Sequence, residues 1–405
     1  MESKTMTTCD FLVIGAGVIG ISIARALKKQ YPDCTVMLIE KENQAGEHAS
    51  GRNSGVLHAG FYYSKDSLKA KFTKEGNRAL TQYCEEKSIA LNRCGKLVVT
   101  QNEKELVGLQ ELLKRGVANQ IKLELISEAE AKQIEPRVKT YQQALFSPTT
   151  SSVNPKHVVA HLVKDAETEG VILHFSTKYL LRKGKTVVTN RGTYSAGYIV
   201  NAAGLYADKI ARDFYFSENY RILPFKGLYL YANSAEKFRT HIYPVPQLDH
   251  PFLGVHVTIT VDDHVKIGPT AIPAFWREQY QGLSRFNPKE ALEILFREAE
   301  LMFKAGFDFK RLAIEEMKKY NRTYLLGKAA HLAQGVNQQN YPRWGKPGIR
   351  AQLLNIKNRQ LEMDFVLEGD SNSFHVLNAV SPAFTCSIPF ADYVVQQIQK
   401  KVAKK

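Results

Sequence analysis

The stretch DFLVIGAGVIGISIARALKK, Asp10 to Lys29, restricts the possible folds more than any other part of the chain. It opens on a short apolar run, Phe11 to Ile14, too short for a buried helix and suited to a parallel strand. Gly15, Gly17 and Gly20 follow in G-x-G-x-x-G spacing, and Ile19, Ile23, Ala26 and Leu27 recur at helical spacing. A second apolar run, Thr35 to Ile39, ends at Glu40. Strand, glycine turn, helix, strand and terminal acid together make a βαβ unit that binds a dinucleotide. Gly15 makes the turn, Gly17 lets a pyrophosphate approach, and Gly20 lets helix and strand pack closely. Val18 and Ile19 begin the helix, whose N-terminus faces the phosphate charge. Glu40, with Lys41 beside it, is placed to accept hydrogen bonds from the adenosine ribose, and an acid there disfavours a 2′-phosphate.

A second stretch, HASGRNSGVLHAGFYY, His48 to Tyr63, combines small residues with polar, proton-competent ones. Its backbone is easy to approach, so Ser50, Gly51, Asn53, Ser54, Gly55 and Val56 are expected along the pyrophosphate and the chain beyond it. Far downstream, NAAGLYAD brings Ala203 and Gly204 to the end of another strand-like run, and Thr177 closes the strand VILHFST. A simple NAD enzyme has little need to return to its cofactor so late in the chain. A flavin, with a ribityl chain and a bulky ring, does, so FAD is the expected cofactor. Asn154 and Pro155 predict a helix to about Glu169, with Gly170 after its end. Ser127 and Glu130 form a capping box, and Asn287 with Pro288 opens a helix over NPKEALEILFREAELMFKAG.

With these motifs, and with SLKAK, CGKLVV, PFKGLYL, IYPVP, PFLGVHVT, IGPTA, GIRAQL and HVLNAVSPAFTCSI, the chain resembles the flavin-dependent D-amino-acid-oxidase superfamily. Within it, the chain is similar to the L-2-hydroxyglutarate oxidases and dehydrogenases. NSGVLHAGFYY together with IYPVP and PFLGVHVT is far more specific than the dinucleotide motif. The resemblance implies an α/β chain, α+β overall. A Rossmann-like FAD-binding domain is expected from residues 1–85, 150–215 and 345–405. A discontinuous substrate domain of sheet and helices takes 86–149 and 216–344, with GLYLYAN and HVKIGPTA as strands over the flavin. Gly282 to Asn340 shares least with the family and falls where the substrate pocket would be capped.

The activity so implied is oxidation of L-2-hydroxyglutarate to 2-oxoglutarate, a hydride passing to flavin N5 and electrons onward to oxygen or a membrane quinone. Another small substrate, such as an amino acid or glycerol 3-phosphate, and a flavin-binding protein without turnover are the other readings. The chemistry needs a carboxylate anchor and a proton acceptor. Guanidinium suits the first because it forks onto a carboxylate, and Arg350 is the candidate, with Lys226 and Arg277 behind it. Imidazole suits the second, and His58 is the first choice with His256 as its rival. Strand alternation would put Phe252, Gly254, His256 and Thr258 on one face. Tyr243, held between an isoleucine and a proline, suits a pocket wall, and Lys226 or Tyr63 would supply the second anchor of a dicarboxylate. Ser381, Pro382, Ala383 and Thr385 precede a helix to about Ile398, whose N-terminus would face the ribityl or the flavin N1–C2 carbonyl.

Bulk properties narrow the rest. The 405 residues, 44% hydrophobic and 23% charged, suit a globular protein of one or two domains. No apolar run is long enough to span a bilayer, and the first ten residues hold no signal region. Five cysteines without C-x-x-C spacing predict neither disulfides nor zinc and suit a reducing, cytoplasmic compartment. No metal is expected. The net charge of +15 and the tail QKKVAKK leave a weak contact with an anionic inner-membrane surface open, while nucleic acid is not an expected partner. The lysines of SLKAKFTKEGNR read as part of a solvated helical face.

Overall fold

The computed structural model describes residues 6–247, 252–304 and 308–403. The strand Met6–Ile14 runs parallel to Val36–Ile39 on one side and to Gly192–Asn201 on the other. Ile172–His174 extends the sheet beyond Val36–Ile39, and Ser373–Asn378 pairs in parallel with the end of Gly192–Asn201. Parallel strands are covered on their faces, and here the central runs are apolar: Phe11 to Ile14 and Val36–Ile39 are buried at every position. The helix Val18–Gln30 lies against the C-terminal helix Ala383–Val402, which also packs on Leu68–Glu86. Gly76 allows that second contact, since a Cβ there would stand 2.3 Å from the Thr385 carbonyl oxygen.

An eight-stranded sheet forms the second layer and includes Lys96–Val99, His241–Pro244, His256–Ile259 and Val265–Gly268. A four-stranded sheet is built on the antiparallel pair Tyr220–Gly227 and Gly348–Asn355. It joins chain from both sides of the domain boundary expected at 344/345.

The predicted caps form. The Asn154 side chain accepts from Lys156 N–H, Pro155–Thr168 is helical, and Gly170 has φ +89°. Ser127 and Glu130 make the capping box, and Asn287 caps Pro288–Lys304. Elsewhere the elements differ from expectation. GLYLYAN yields only the strand Leu230–Tyr231. The strand in PFLGVHVT begins at His256, because Gly254 turns the chain at φ +76°. Ala383 and Thr385 lie inside the first turn of the last helix rather than ahead of it.

Candidate active site

A cavity of about 1020 Å³ runs from Glu40 past the glycine turn to Arg350, where the parallel strands end. At its first end the glycines divide the work. A Cβ on Gly15 would meet the Ala202 carbonyl oxygen at 2.8 Å, and one on Gly20 would overlap the Gly15 carbonyl. Gly17 instead faces the cavity, where a Cβ would intrude beside Ser50 Oγ at 3.1 Å. Ser50 Oγ accepts the Val18 N–H at 2.9 Å, at the mouth of a helix with no acid in its first turn. Both Glu40 oxygens accept backbone N–H groups, from Ala16 at 2.7 Å and Glu42 at 3.0 Å, which fixes the carboxylate at the cavity wall. Ile19, Lys41, Asn53, Ser54, Val56, Thr177, Ala203, Gly204, Ser381, Pro382, Ala383 and Thr385 also line the cavity. Gly20, Gly51 and Gly55 do not. Gly51 and Gly55 serve backbone packing, since a Cβ on either would stand 2.3 Å from the carbonyl oxygen of Gly46 or Val153. An open glycine cradle, a helix N-terminus and a long continuous cavity fit FAD.

Beyond Glu40, three groups far apart in sequence meet. Glu42, His48 and Glu278 bring ligand atoms within 4.8 Å of one another, a grouping that sequence spacing does not reveal. Cations already occupy it: Lys41 pairs with Glu278, and Arg285 reaches Glu42 at 2.6 Å and Glu278 at 2.5 Å. Burial alone would raise the Glu42 carboxyl, but Arg285, His48 and Lys41 together hold it at about 2. His48 donates from Nε2 to Glu42 and accepts from the Tyr280 hydroxyl on Nδ1. The group is an ion-pair clasp that holds Glu278 and Arg285 against Glu42, beside the cavity residues Lys41 and His48.

At the far end stand the proton-competent residues. His58 is buried, and its backbone N–H donates to Thr385 Oγ1, tying it to the last helix. Burial, with the charge of Lys96, pushes the imidazole down to about 3, so it is neutral at physiological pH. His256 donates from Nδ1 to the Gly254 carbonyl at 3.0 Å, leaving Nε2 as an acceptor. Its ring stacks on Tyr243 at 3.7 Å. His58, Tyr63, Tyr243, His256, Phe252 and Gly254 line the cavity, whereas Thr258 does not.

Arg350 projects into the same end from Gly348–Asn355. Its Nε donates to Gln352 Oε1 at 3.0 Å, its guanidinium lies 5.2 Å from the Phe252 ring, and it makes no ion pair among the described residues. Burial lowers it to about 10, with Tyr63 opposing. Lys69, read from sequence as part of a solvated face, lies in the cavity wall and is 3% exposed. Its Nζ is 5.8 Å from the Tyr63 ring and has no carboxylate within ion-pair distance among the described residues. Burial, then the neighbouring Arg350, lowers its ammonium to about 7. The signal was present: Lys69, Phe72, Thr73, Gly76 and Leu80 recur at helical spacing and all are buried.

Two weaker candidates fall away. Alternation along Tyr220–Gly227 turns Phe225 and Gly227 to the cavity, and Lys226 is not in its lining. Arg277 is fully buried and bound bidentately to Asp208 at 2.7 and 2.9 Å, so its guanidinium is spent on structure. All five cysteines are free.

The family described as FAD dependent oxidoreductase matches residues 10–397. L-2-hydroxyglutarate dehydrogenase of Escherichia coli (strain K12) is 33% identical over 407 residues, covering 98% of this chain and 94% of that protein. The mitochondrial L-2-hydroxyglutarate dehydrogenase of Bos taurus is 32% identical, covering 97% and 89%. Among solved structures, L-alpha-glycerophosphate oxidase from Mycoplasma pneumoniae, with FAD bound, superimposes with a TM-score of 0.76 at 23% identity, covering 97% of this chain and 95% of that one. Glycine oxidase from Geobacillus kaustophilus gives 0.71 at 18% identity, covering 98% and 95%. With the glycine cradle on one long cavity, these matches place the chain in the FAD dependent oxidoreductase family.

Proposed function

We propose that the chain oxidises L-2-hydroxyglutarate to 2-oxoglutarate. The reading is carried by Arg350 and Lys69, two cations without ion-pair partners among the described residues, facing one end of the cavity. A dicarboxylate fits that pair, and the near-full-length relatives are named for such a substrate. FAD, when bound, supplies the hydride acceptor. Arg350 forks onto the carboxylate beside the carbinol carbon, while Phe225, Phe252 and Ile349 exclude water and strengthen the contact. Lys69 takes the distal carboxylate, with Tyr63 alongside. Neutral His58 accepts the hydroxyl proton, its affinity for that proton raised by the substrate's negative charge; Nε2 of His256 is the other acceptor available.

The same reading divides the chain into an FAD domain, 1–85, 150–215 and 345–405, and a substrate domain, 86–149 and 216–344. It is supported by the mixed sheet around Met6–Ile14 drawing its strands from the first set and the sheet around His241–Pro244 from the second. Electrons pass on to oxygen or a membrane quinone, and the enzyme works in the cytoplasm, where the +15 charge favours an anionic inner-membrane surface. No helix among the described residues is long and apolar enough to cross a membrane.

Dye-linked turnover with product identification tests the assignment. L-2-hydroxyglutarate should give 2-oxoglutarate, and the D-enantiomer, L-lactate, glycerol 3-phosphate and amino acids should give little turnover. Preferential turnover of any of these would move the assignment to that compound.

A further inference from the structure

Residues 283–304 and 309–320 expose large apolar side chains in a pattern that the packing of the described residues does not use. The helix Pro288–Lys304 buries one stripe, Ala291, Ile294 and Leu301. A second stripe, Leu292, Phe296 and Phe303, recurs at helical spacing on another side and is 73%, 64% and 87% exposed. Leu283 and Phe286 precede it, and Ile314 and Met317 on the helix Phe309–Lys318 follow, all exposed. A helix apolar on two sides needs two apolar environments, and the described residues supply one.

Acids and cations of these helices differ in how far they are paired. Lys289, Lys304, Lys310 and Arg311 are exposed and make no ion pair among the described residues. Most of the acids are paired: Glu290 with Lys209 at 3.2 Å, Glu300 with Arg297 at 3.0 Å, Glu315 with Lys318 at 2.7 Å, and Glu316 with Lys319. Asp308 is exposed without an ion pair among the described residues, and it caps a helix by accepting from Arg311 N–H. The outward charge left unpaired is therefore mainly cationic, beside an apolar stripe. Glu316 and Lys319, on the inner side of the same helical segment, line the FAD cavity.

We propose that Leu283–Phe286 with the helices Pro288–Lys304 and Phe309–Lys318 forms a seat for an anionic bilayer surface. The phenylalanines and leucines enter the boundary between headgroups and acyl chains, and the four unpaired cations meet lipid anions. A second copy of the chain fits less well, because a two-fold contact would bring the same unpaired cations face to face. Seated this way, the enzyme brings a wall of its flavin cavity to the lipid, where an acceptor dissolved in the membrane has a short approach. The inference rests on side-chain exposure and charge, independently of the substrate assigned above.

The test is co-sedimentation of the FAD-loaded full chain with vesicles of phosphatidylcholine alone or mixed with phosphatidylglycerol. Binding should require phosphatidylglycerol and weaken as salt rises toward about 0.5 M. The double variant Phe296→Ser/Phe303→Ser should bind at least about tenfold more weakly. Its flavin spectrum, thermal midpoint and dye-linked turnover should stay unchanged. Lys304→Glu/Lys310→Glu should abolish the preference for phosphatidylglycerol, and removing residues 400–405 should leave binding intact. The proposal is overturned if the wild type ignores both vesicles, if the serine variant binds like the wild type, or if binding is lost with residues 400–405. A wild-type dimer that the serine substitutions convert to monomer would overturn it in favour of self-association.

Discussion

Replacing Lys69 by Met should strip the enzyme of its preference for two carboxylates without weakening the fold. Methionine keeps the length and apolar character of the buried stem and removes a charge whose burial is costly, so stability should hold or rise. A charge-assisted hydrogen bond to substrate contributes about 1.5–3 kcal/mol, equivalent to roughly 10–150-fold in affinity. KM for L-2-hydroxyglutarate should rise by that factor, while KM for a short monocarboxylate such as L-lactate, which cannot reach Lys69, should change less than about threefold. The pH profile adds a second signature. Burial and Arg350 lower the Lys69 ammonium to about 7, so its charge is present below that pH and lost above it. If binding needs the charged form, KM for the dicarboxylate rises about tenfold per pH unit above about 7, and Lys69→Met flattens this limb. Steady-state kinetics from pH 6 to about 9, with both substrates and both proteins, decide the matter. Equal losses on the two substrates, or an unchanged pH limb in the variant, would refute the role given to Lys69.

The other structural arguments make equally direct predictions. Burial raises the Glu298 carboxyl to about 8, well above its unfolded value. It therefore favours folding fully below its unfolded pKa, and that contribution is lost as pH rises toward 8. Glu298→Gln should raise the thermal midpoint at pH 8 by roughly 2–5 °C and leave it nearly unchanged at pH 4. Asp208→Asn leaves the buried Arg277 charge without its partner and should cost about 3–5 kcal/mol in denaturant unfolding. Thr385→Val removes the hydroxyl that receives the His58 N–H, which should slow turnover several-fold while KM for the dicarboxylate stays within about twofold.

Local chemistry explains which parts were legible in the sequence. The glycine turn, Glu40 and the caps at Asn154, Ser127 and Asn287 depend on neighbours within a few residues, so sequence displays them directly. Lys69 was within reach, but a count of interleaved charges hid its place on the buried stripe of Leu68–Glu86. For Lys226 the strand was evident while its cavity face was not, since alternation gives two faces and only the tertiary fold chooses between them. Arg277 resembled a free anchor because its partner, Asp208, lies on a distant element. The clasp of Glu42, His48 and Glu278 is likewise assembled from separate segments. On Pro288–Lys304 the cap and helix were evident, but two apolar stripes read alike until exposure separates them.

Anaerobic reduction of the bound flavin tests the central claim most directly. Mixing the FAD-loaded protein with L-2-hydroxyglutarate should bleach the flavin absorbance rapidly, in one turnover, with 2-oxoglutarate formed in equal amount. The D-enantiomer should leave the band intact, because its C–H and hydroxyl cannot both be placed while Arg350 and Lys69 hold its two carboxylates. Bleaching by the D-enantiomer at the same rate, or a flavin that L-2-hydroxyglutarate leaves oxidised, would contradict the account.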